Sequence, residues 1–340
     1  MPRILFVNPN VEDYAADGVF HGLRSVLGRD AVDFPKAEYM YDTINPAVRG
    51  RLRGYGFTLY GLLPDIDIDR DHCLDRALNG EFDLVIFGDI WRTFGVFSEW
   101  GPPLADAGIP LAILDGSDRV EPYPYAGLWW RRRAWWFLPR AHNRGLYFKR
   151  EITPWTRWFG SYLLLPPPLN RLRMREMMSL AFSIPEETIV QNAQPKDQEF
   201  ATHVVDPELA PMLGRGTTYA FSDESSYVAD IRRSRFGITT KREGWDALRH
   251  YEIAAAGTVP CFRELGAKPE TCAPHGLVDG INCLAYDSGD ELLSRIGQLT
   301  PSDYSTIQAG ALSWARANTT VARAAAVLAS AGLDVSGETG

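Results

Sequence analysis

The sequence predicts an α/β protein that is built from two Rossmann-like, doubly wound domains. Three observations lead to this fold class. The chain has 340 residues, which exceeds the length at which a single hydrophobic core usually stops growing. Short apolar runs bounded by loops alternate with helix-sized segments, as in a parallel sheet that is covered on both faces. A proline-rich break divides the chain into two halves of similar length.

The first half of the chain contains four predicted strands. The first strand is followed by a polar loop and by a segment with helical spacing at 19–28, so the domain opens with a strand, a loop and a helix. The second and third strands end in aspartates, which places these carboxylates at the carboxyl edge of the predicted sheet, where ligands of such sheets bind. The four strands lie at 3–8, 82–90, 110–118 and 146–152.

The boundary between the domains is predicted at LLLPPPLNR, residues 163–171, because three consecutive prolines exclude a helix and stiffen the chain. We therefore expect an N-terminal domain at 1–165 and a C-terminal domain at 171–325. Beyond the boundary, predicted strands lie at 179–185, 217–223, 235–240, 258–262 and 282–287, and predicted helices lie at 227–234, 246–256, 290–299 and 302–331.

The composition is typical of a globular protein, with 45% hydrophobic and 23% charged residues. The first residues, MPRILFVNPN, contain four consecutive apolar residues, which is too few for a signal peptide or a membrane span. The four cysteines form no CxxC pair, so we expect a cytoplasmic, reduced protein that is not integral to the membrane. Cys272 and His275 have the spacing of metal ligands, but without a second pair no metal site is predicted.

The net charge of −8 is distributed unevenly along the chain. Residues 129–176 contain eleven basic and two acidic residues, a net charge of +9, together with six of the ten tryptophans, so the remaining residues carry −17. This segment is either a packed, tryptophan-rich helical piece, or a peripheral membrane face, or a nucleic-acid surface. The last interpretation is disfavoured, because the rest of the chain is acidic and contains no recognisable nucleic-acid-binding module.

The segment KREGWDALRHYEIAAAGTVPCF, residues 241–262, combines many charges with the pattern of a loop, a helix and a strand. In the predicted helix at 246–256, an apolar arc can pack on the sheet while Asp246, Arg249 and His250 lie on the opposite side. Gly257 is the expected end of this helix. The free N–H groups of a helix N-terminus suit phosphate. The segment is therefore predicted to hold a phosphorylated ligand.

Individual residues of this segment have predicted roles in binding that ligand. Lys241 and Arg242 would neutralise a diphosphate, and Gly244 would let the backbone approach it closely. Glu252 could accept hydrogen bonds from a ribose. The alternative is a capped helix with surface ion pairs, which would explain any one of these residues but not the set.

The stretch SRFGITTKREGWDALRHYEIAAAGTVPCF, residues 234–262, resembles the donor-binding segment of GT-B-fold glycosyltransferases, particularly the exostosin-like and related bacterial families. Their pattern is a strand, a Gly-x-Asp-x-x-Arg-x-x-Glu run and Gly-x-x-Pro. The matching residues here are Gly244, Asp246, Arg249, Glu252, Gly257 and Pro260. NCLAYDSGDELLSRI and SWARANTT resemble the elements that follow, so the resemblance covers about 215–330 closely and the N-terminal half only as architecture.

The resemblance implies a two-domain enzyme whose domains face a cleft. A nucleotide-sugar donor, held by the C-terminal domain as a co-substrate, would give its sugar to an acceptor held by the N-terminal domain. The resemblance places Glu252 on the nucleotide ribose and Lys241 and Arg249 near the diphosphate. It implies no metal and no other cofactor, since cationic groups stabilise the leaving diphosphate. The commoner retaining pattern has two glutamates eight apart, but Glu243 and Glu252 are nine apart, which leaves the stereochemistry open.

Candidates for a catalytic base lie in the N-terminal half, where an Asp or His near the cleft can accept the proton of an acceptor hydroxyl. Asp17 and His21 follow the first strand, and Asp89, Asp115 and Asp118 follow the second and third. For each of these residues a helix cap or a turn is the alternative role.

Two functions fit these predictions. The first is a glycosyltransferase, a hexosyl- or related transferase, that builds a surface polysaccharide or glycoconjugate on a glycan or glycolipid acceptor. The second is a nucleotide-sugar binding protein, or a GT-B-fold epimerase, that keeps the pocket without transferring a sugar. The basic and aromatic segment favours transfer, because an epimerase needs no wide acceptor surface. A membrane face there would bring the enzyme to a lipid-linked acceptor.

Overall fold

A computed structural model gives the structure of the protein and describes residues 1–122, 145–156 and 177–334. These residues form two parallel sheets with helices packed on their faces. The first sheet is built mainly from the N-terminal half and the second from the C-terminal half. The predicted α/β fold class is therefore confirmed.

The first sheet has six parallel strands in the order β2-β1-β3-β4-β5-β6. They are β1 (Ile4–Val7), β2 (Ala31–Phe34), β3 (Leu84–Phe87), β4 (Leu111–Asp115), β5 (Gly145–Lys149) and β6 (Met177–Ser179). Because β2 and β3 lie on opposite sides of β1, the strand order reverses between β1 and β3. The carboxyl ends of the strands at such a point are where ligands of doubly wound sheets bind.

The helices of the first half are α1 (Tyr14–Leu27), α2 (Pro46–Arg49), α3 (Cys73–Leu78) and α4 (Ile90–Asp106). Helix α1 begins where the Asp13 carboxylate accepts hydrogen bonds from the N–H groups of Ala15 and Ala16, a side-chain cap that satisfies two otherwise free donors. Alternate residues of β1 face opposite sides of the sheet: Ile4 packs in the core with α1, and Leu5 packs in the core with α3 and α4.

The second sheet has four parallel strands in the order β10-β9-β8-β7. They are β7 (Gln198–Phe200), β8 (Ser234–Thr240), β9 (Val259–Arg263) and β10 (Leu284–Tyr286). The helices of this half are α5 (Leu209–Met212), α6 (Glu224–Arg233), α7 (Leu248–Ala255), α8 (Gly289–Gln298), α9 (Pro301–Ala317) and α10 (Thr320–Ser330).

Several predicted elements differ from the structure. The strand predicted at 217–223 is absent from these described residues, because Tyr219 and Phe221 pack against other aromatic rings and do not pair in a sheet. The helix predicted at 302–331 is two helices, since Thr319 caps a new helix by accepting a hydrogen bond from the N–H of Ala322. The strand predicted at 179–185 overlaps strand β6 only at Ser179, and the short strands β2 and β7 were not predicted.

The predicted domain boundary at 163–171 lies outside the described residues. Strand β6 follows that position in sequence and belongs to the first sheet. The last helix, α10, also returns to the first half and packs against α1, where His21 Nδ1 lies 2.9 Å from Thr320 Oγ1. The chain therefore crosses between the two halves near its C-terminal end.

Most of the basic and aromatic segment at 129–176 lies outside the described residues as well, and only 145–156 belong to them. Across the parts of the chain that the structure describes, every helix is too short or too polar to cross a membrane.

Gly22 lies on the face of α1 that contacts α10. A Cβ atom at this position would lie 1.9 Å from the backbone oxygen of Thr320, so the close approach of the helices requires a residue without a side chain. We expect Gly22→Ala to lower the free energy of unfolding by about 1–3 kcal/mol through overpacking, and thermal unfolding will measure the loss.

Gly95 is the matched control, because it lies within α4 and a Cβ atom there would meet no heavy atom within 4 Å. Gly95→Ala should raise the melting temperature slightly, since alanine is the better helix former by about 1 kcal/mol. A melting temperature that rises in both variants would contradict the packing of α1 on α10.

Candidate functional site

The buried side chain of Arg150 joins the carboxyl edge of the first sheet to the loop between β8 and α7. Its Nε donates to the backbone oxygen of Gly116 at 2.8 Å, and its Nη1 donates to the backbone oxygen of Asp246 at 2.9 Å. Nη1 also lies 3.1 Å from the Glu151 carboxylate, and Nη2 pairs with Asp118. All three nitrogens of the guanidinium therefore have partners, which fixes the loop against the first sheet.

Glu151 holds the same loop through its backbone. Its Oε1 accepts hydrogen bonds from the N–H groups of Trp245, at 2.9 Å, and Asp246, at 3.3 Å. A Cβ atom on Gly244 would lie 2.5 Å from Oδ1 of Asp118 and 2.5 Å from Oε1 of Glu151. Gly244 therefore makes room for two carboxylates of the first half, a use that the sequence did not indicate.

The positions of Asp246 and His250 differ from the prediction. Helix α7 begins at Leu248 because Ala247 has extended backbone angles, so Asp246 precedes the helix. Asp246 is buried: its Oδ2 accepts from the N–H of Phe182 at 2.7 Å, and its Oδ1 accepts from the Tyr251 hydroxyl at 3.0 Å. Burial raises the pKa of Asp246, which Arg150 opposes. Asp246 thus supports the loop from within.

His250 is buried on α7 and does not face a cleft, which corrects the prediction that it lies on the charged side. Its Nδ1 is 2.7 Å from Thr239 Oγ1, and its Nε2 is 3.0 Å from the backbone oxygen of Trp245. These partners satisfy the ring inside the protein. Burial lowers the pKa of His250 to about 4, so the ring is neutral at neutral pH.

Three cations lie around the carboxyl end of β8. Lys241 and Arg242 are exposed residues that follow the strand, and Arg249 is half-buried on α7. The Lys241 ammonium lies 4.9 Å from the centre of the Trp245 ring, and the Arg249 guanidinium lies 5.9 Å from that of Tyr227. Within the described ranges, none of these three cations forms an ion pair with a carboxylate. Their charges are therefore available to an anionic ligand.

His203, which sequence reasoning missed, lies near these cations. Burial lowers its pKa to about 4, and the positive charges of Arg249 and Arg242 act in the same direction. Its Nδ1 has no hydrogen-bond partner in the described part of the chain, and its ring centre is 4.9 Å from that of Tyr219. A lone histidine without a motif gives no signal in one sequence, so only the fold reveals this neighbour.

Glu252 lies one helical turn after Arg249 and is half-buried. One carboxylate oxygen accepts a hydrogen bond from the Thr58 hydroxyl at 2.6 Å, and the other accepts from the Tyr227 hydroxyl at 2.5 Å. Arg249 and Glu252 both influence the pKa of Tyr219, which burial raises. The structure therefore brings Arg249 and Glu252 to the same two tyrosines, while Arg242 and Arg249 both lie near His203 and Lys241 lies on Trp245.

The candidate bases Asp17 and His21 both have internal partners. The Asp17 carboxylate accepts from the hydroxyl groups of Tyr39, at 3.2 Å, and Tyr60, at 3.0 Å. Burial and the charge of Asp13 raise the pKa of Asp17 well above its usual range. His21 is buried between Thr320 and Glu187, whose carboxylate lies 3.4 Å from its Nε2. The two residues thus hold α1 in place.

Asp115 and Asp118 follow β4 and have different surroundings. Asp115 is buried and has four side-chain partners, which are Trp91, Ser117, Tyr147 and Lys149. The Lys149 ammonium, also buried, lies 3.1 Å from its Oδ2. Asp118 has a side chain that is 37% exposed and is paired with Arg150. Of the two, Asp118 is the one that solvent and ligands can reach.

Asp89 combines an unusual backbone with a perturbed pKa. It has a left-handed φ of 40° and caps α4 by accepting a hydrogen bond from the N–H of Trp91 at 3.2 Å. Burial raises its pKa to about 7, and the charge of Asp13 adds to this effect. Asp89 follows β3 at the point where the strand order reverses. The Asp89 carboxyl group therefore ionises near neutral pH, as a group that accepts a proton in catalysis should.

Cys272 and His275, which have metal-like spacing, have separate partners. The Cys272 thiol lies 3.3 Å from the backbone oxygen of Ile152, and His275 Nε2 lies 2.8 Å from the Ser179 hydroxyl. In the described residues no cluster of three or more His, Cys, Asp or Glu side chains is arranged to hold a metal ion.

Comparisons with known proteins give matches among solved structures. No protein-family model and no curated protein sequence matches the chain. Trehalose-6-phosphate synthase OtsA has a TM-score of 0.55 at 12% identity, covering 97% of this chain and 99% of that chain. HepE from Anabaena, in complex with UDP and glucose, has a TM-score of 0.51 at 11% identity, covering 98% and 100%. The α-glucosyltransferase AGT, in complex with UDP, has 0.50 at 11%, covering 94% and 96%.

At identities of 11–12% the likeness concerns the fold. It extends over nearly the whole chain, including the N-terminal half that the sequence matched only as architecture. Membership of the exostosin-like family stays a prediction. The protein therefore has an α/β fold with parallel sheets that matches these GT-B glycosyltransferase structures.

Proposed function

We propose that this protein is a glycosyltransferase that moves a sugar from a nucleotide-sugar donor to a glycan or glycolipid acceptor. The observation that carries the proposal is a set of three cations that have no carboxylate partner among the described residues, Lys241, Arg242 and Arg249. The carboxylate of Glu252 lies one helical turn after Arg249. Cations complement a diphosphate, and a carboxylate complements the hydroxyl groups of a ribose. The UDP in the HepE and AGT complexes supports this class of donor.

The chemistry of the donor side follows from charge. When the bond between the sugar and the diphosphate breaks, negative charge develops on the leaving phosphate oxygen. Positive groups that are already in place stabilise this charge without the cost of reorganising solvent. Lys241 would supply a compact charge and the two arginines bidentate hydrogen bonds, so we propose transfer without a metal cofactor.

On the acceptor side, we propose Asp89 as the group that takes the proton of the attacking hydroxyl. Its pKa of about 7 leaves a substantial ionised fraction at neutral pH together with a high affinity for a proton. Asp89 is also buried, and its carboxylate lies 3.3 Å from Arg92. Asp17 and Asp115 have several internal side-chain partners, and Asp118 is paired with the buried Arg150. Asp118 is the second candidate, because its side chain is partly exposed.

For the acceptor, we propose a glycan or a lipid-linked glycan in the synthesis of a surface polysaccharide or glycoconjugate. The net charge of +9 and the six tryptophans at 129–176 support a peripheral contact with the cytoplasmic face of a membrane, since basic residues near anionic lipid each contribute about 1 kcal/mol. The alternative function is a nucleotide-sugar binding protein or an epimerase. A transferase should hydrolyse the nucleotide-sugar slowly and release the nucleotide faster when an acceptor glycan is added. A binding protein should show neither reaction.

Binding of nucleoside diphosphates tests the donor site. We expect Lys241→Ala and Glu252→Gln each to weaken binding about 10- to 100-fold, because one charge-assisted hydrogen bond contributes about 1.5–3 kcal/mol. Calorimetry with UDP, GDP, ADP and CDP will measure the affinities. Glu243→Gln is the control, since Glu243 is exposed in the same loop, and it should bind at least as well as wild type. Wild-type affinity in both test variants would place the donor site elsewhere.

The pH dependence of transfer tests Asp89. Since its pKa is raised to about 7, the base form is present above that pH, and kcat/KM should rise as the pH increases through about 7. Asp89→Asn should lower kcat about 100-fold or more and remove this rise, because general base catalysis contributes about 10²–10⁴-fold. Asparagine keeps the helix cap and tolerates the left-handed backbone.

Asp13→Asn provides the companion measurement. The charge of Asp13 raises the pKa of Asp89, so its removal should shift the midpoint of the pH profile to lower pH while activity persists. An Asp89→Asn variant with wild-type kcat and the same profile would show that another group, or the leaving diphosphate itself, accepts the proton.

Chelation tests the metal-independent mechanism. We expect transfer activity to survive dialysis against EDTA unchanged, since side-chain cations supply the positive charge that a metal would otherwise supply. Complete loss of activity that manganese or magnesium restores would show that the diphosphate is held through a metal ion.

A further inference from the structure

Residues 49–58, which we call the strap, run from the end of α2 across to the second half of the protein. On the first half the strap is held by α1: the Tyr14 hydroxyl donates to the backbone oxygen of Arg53 at 2.9 Å. The N–H of Arg53 lies 3.3 Å from the Glu12 carboxylate. The middle of the strap is thus attached beside the N-terminal end of α1.

The two ends of the strap make polar contacts with the second half. Arg49 forms an ion pair with Glu224 on α6, with Nη2 and Oε2 2.6 Å apart. The N–H of Thr58 donates to the other oxygen of Glu224 at 2.6 Å. The hydroxyl of Thr58 donates to Oε1 of Glu252 at 2.6 Å. Glu252 is the residue to which the proposed function assigns the ribose, so the strap occupies part of the proposed donor site.

Aromatic rings also pack in the contact between the strap and the second half of the protein. Tyr55 and Phe57 of the strap lie against Tyr219 and Tyr227, with ring centres 5.7 Å apart for Tyr55 and Tyr219 and 5.9 Å apart for Phe57 and Tyr227. The Tyr227 hydroxyl donates to the second oxygen of Glu252. Both oxygens of Glu252 therefore have protein donors, and the strap covers this side of the carboxylate.

The backbone of the strap is unfavourable for the residues that it contains. Tyr55 has a φ of 58° and Thr58 a φ of 74°, which lie in the left-handed region that aromatic and β-branched residues rarely adopt. Contacts with the second half must therefore hold these residues in place. Release of the strap from Glu224 and Glu252 would relieve this backbone strain, which favours exchange with a ligand.

We propose that the strap is an internal ligand of the donor site, in which the Thr58 hydroxyl takes the place of a ribose hydroxyl on Glu252. A nucleoside diphosphate then binds by displacing Thr58, and its apparent affinity is reduced by the fraction of molecules in which the strap is docked. The inference rests on the proposed function, because the competing ligand is the ribose of the proposed donor.

Thr58→Val is the direct test, since valine keeps the shape and branching of threonine but cannot donate to Glu252. It should bind UDP, or whichever of GDP, ADP and CDP binds best, about 10- to 100-fold more tightly than wild type, as loss of one hydrogen bond to a carboxylate predicts. Thr43→Val is the matched control: its hydroxyl donates to the Asp65 carboxylate at 2.7 Å, away from Glu252, so its affinity should be that of wild type.

Arg49→Met supplies a second variant that does not alter the contact with Glu252. It removes the ion pair with Glu224 and should also strengthen binding, by a smaller factor, because the strap docks less firmly. In the Glu252→Gln background, Thr58→Val should have little further effect, since the two residues act through one contact. Addition of the nucleotide to wild type should speed hydrogen exchange of the Thr58 amide, whose partner is Glu224.

The outcomes separate the two proposals. Tighter binding by Thr58→Val with faster exchange at 53–58 supports the internal ligand. If wild type binds the nucleotide and Thr58→Val binds it with equal or lower affinity, the strap inference is overturned while the donor site stands. A lower affinity would show in addition that Thr58 helps to hold the nucleotide. Absence of binding in wild type, Thr58→Val and Arg49→Met alike overturns the proposed donor site and the strap inference together.

Discussion

The relation between the two halves of this protein depends on the buried guanidinium of Arg150. A buried charge is costly unless every donor is satisfied, and here the partners come from the end of β4, the end of β5 and the loop before α7. A displacement of any of these elements would leave buried charge without a partner. The Glu151 carboxylate accepts hydrogen bonds from two backbone N–H groups of the loop before α7. Arg150 donates to a backbone carbonyl of the same loop, so both kinds of backbone group hold the loop in place.

The loop before α7 contacts the first half through its buried residues, while its preceding residues are exposed to solvent. Trp245 and Asp246 are buried in the contact between the halves, while Lys241 and Arg242, a few residues earlier, are exposed. Asp246 is thus used for internal contacts of this loop, whereas Lys241 and Arg242 remain at the surface. This separation explains how a chain with a net charge of −8 presents a positive region at the end of β8. A rigid support under exposed cations is also what electrostatic stabilisation of a leaving group requires.

The sequence predicted those parts of the fold that local patterns determine. Continuous apolar runs identified β1, β3, β4, β8 and β9, whereas β2 and β7 escaped because Asp33 and the polar pair Gln198–Glu199 interrupt them. The charged residues around α7 were found from their spacing, but the burial of Asp246 and His250 was not, since their partners Phe182 and Thr239 lie elsewhere in the sequence. Likewise Thr58 and Glu252 are 194 residues apart, and no spacing rule links them.

Under the proposed function, docking of the strap on Glu252 would also influence which ligands the donor site accepts. A hydroxyl that is tethered to the protein competes at a high effective concentration, so a weak ligand does not displace it. Inorganic phosphate can contact the cations but offers nothing to Glu252, and a nucleoside can contact Glu252 but leaves the cations unpaired. A nucleoside diphosphate makes both sets of contacts and can replace the Thr58 hydrogen bond while neutralising Lys241, Arg242 and Arg249. An internal ligand on the carboxylate would therefore make the proposed site selective for molecules that carry a ribose and a diphosphate together.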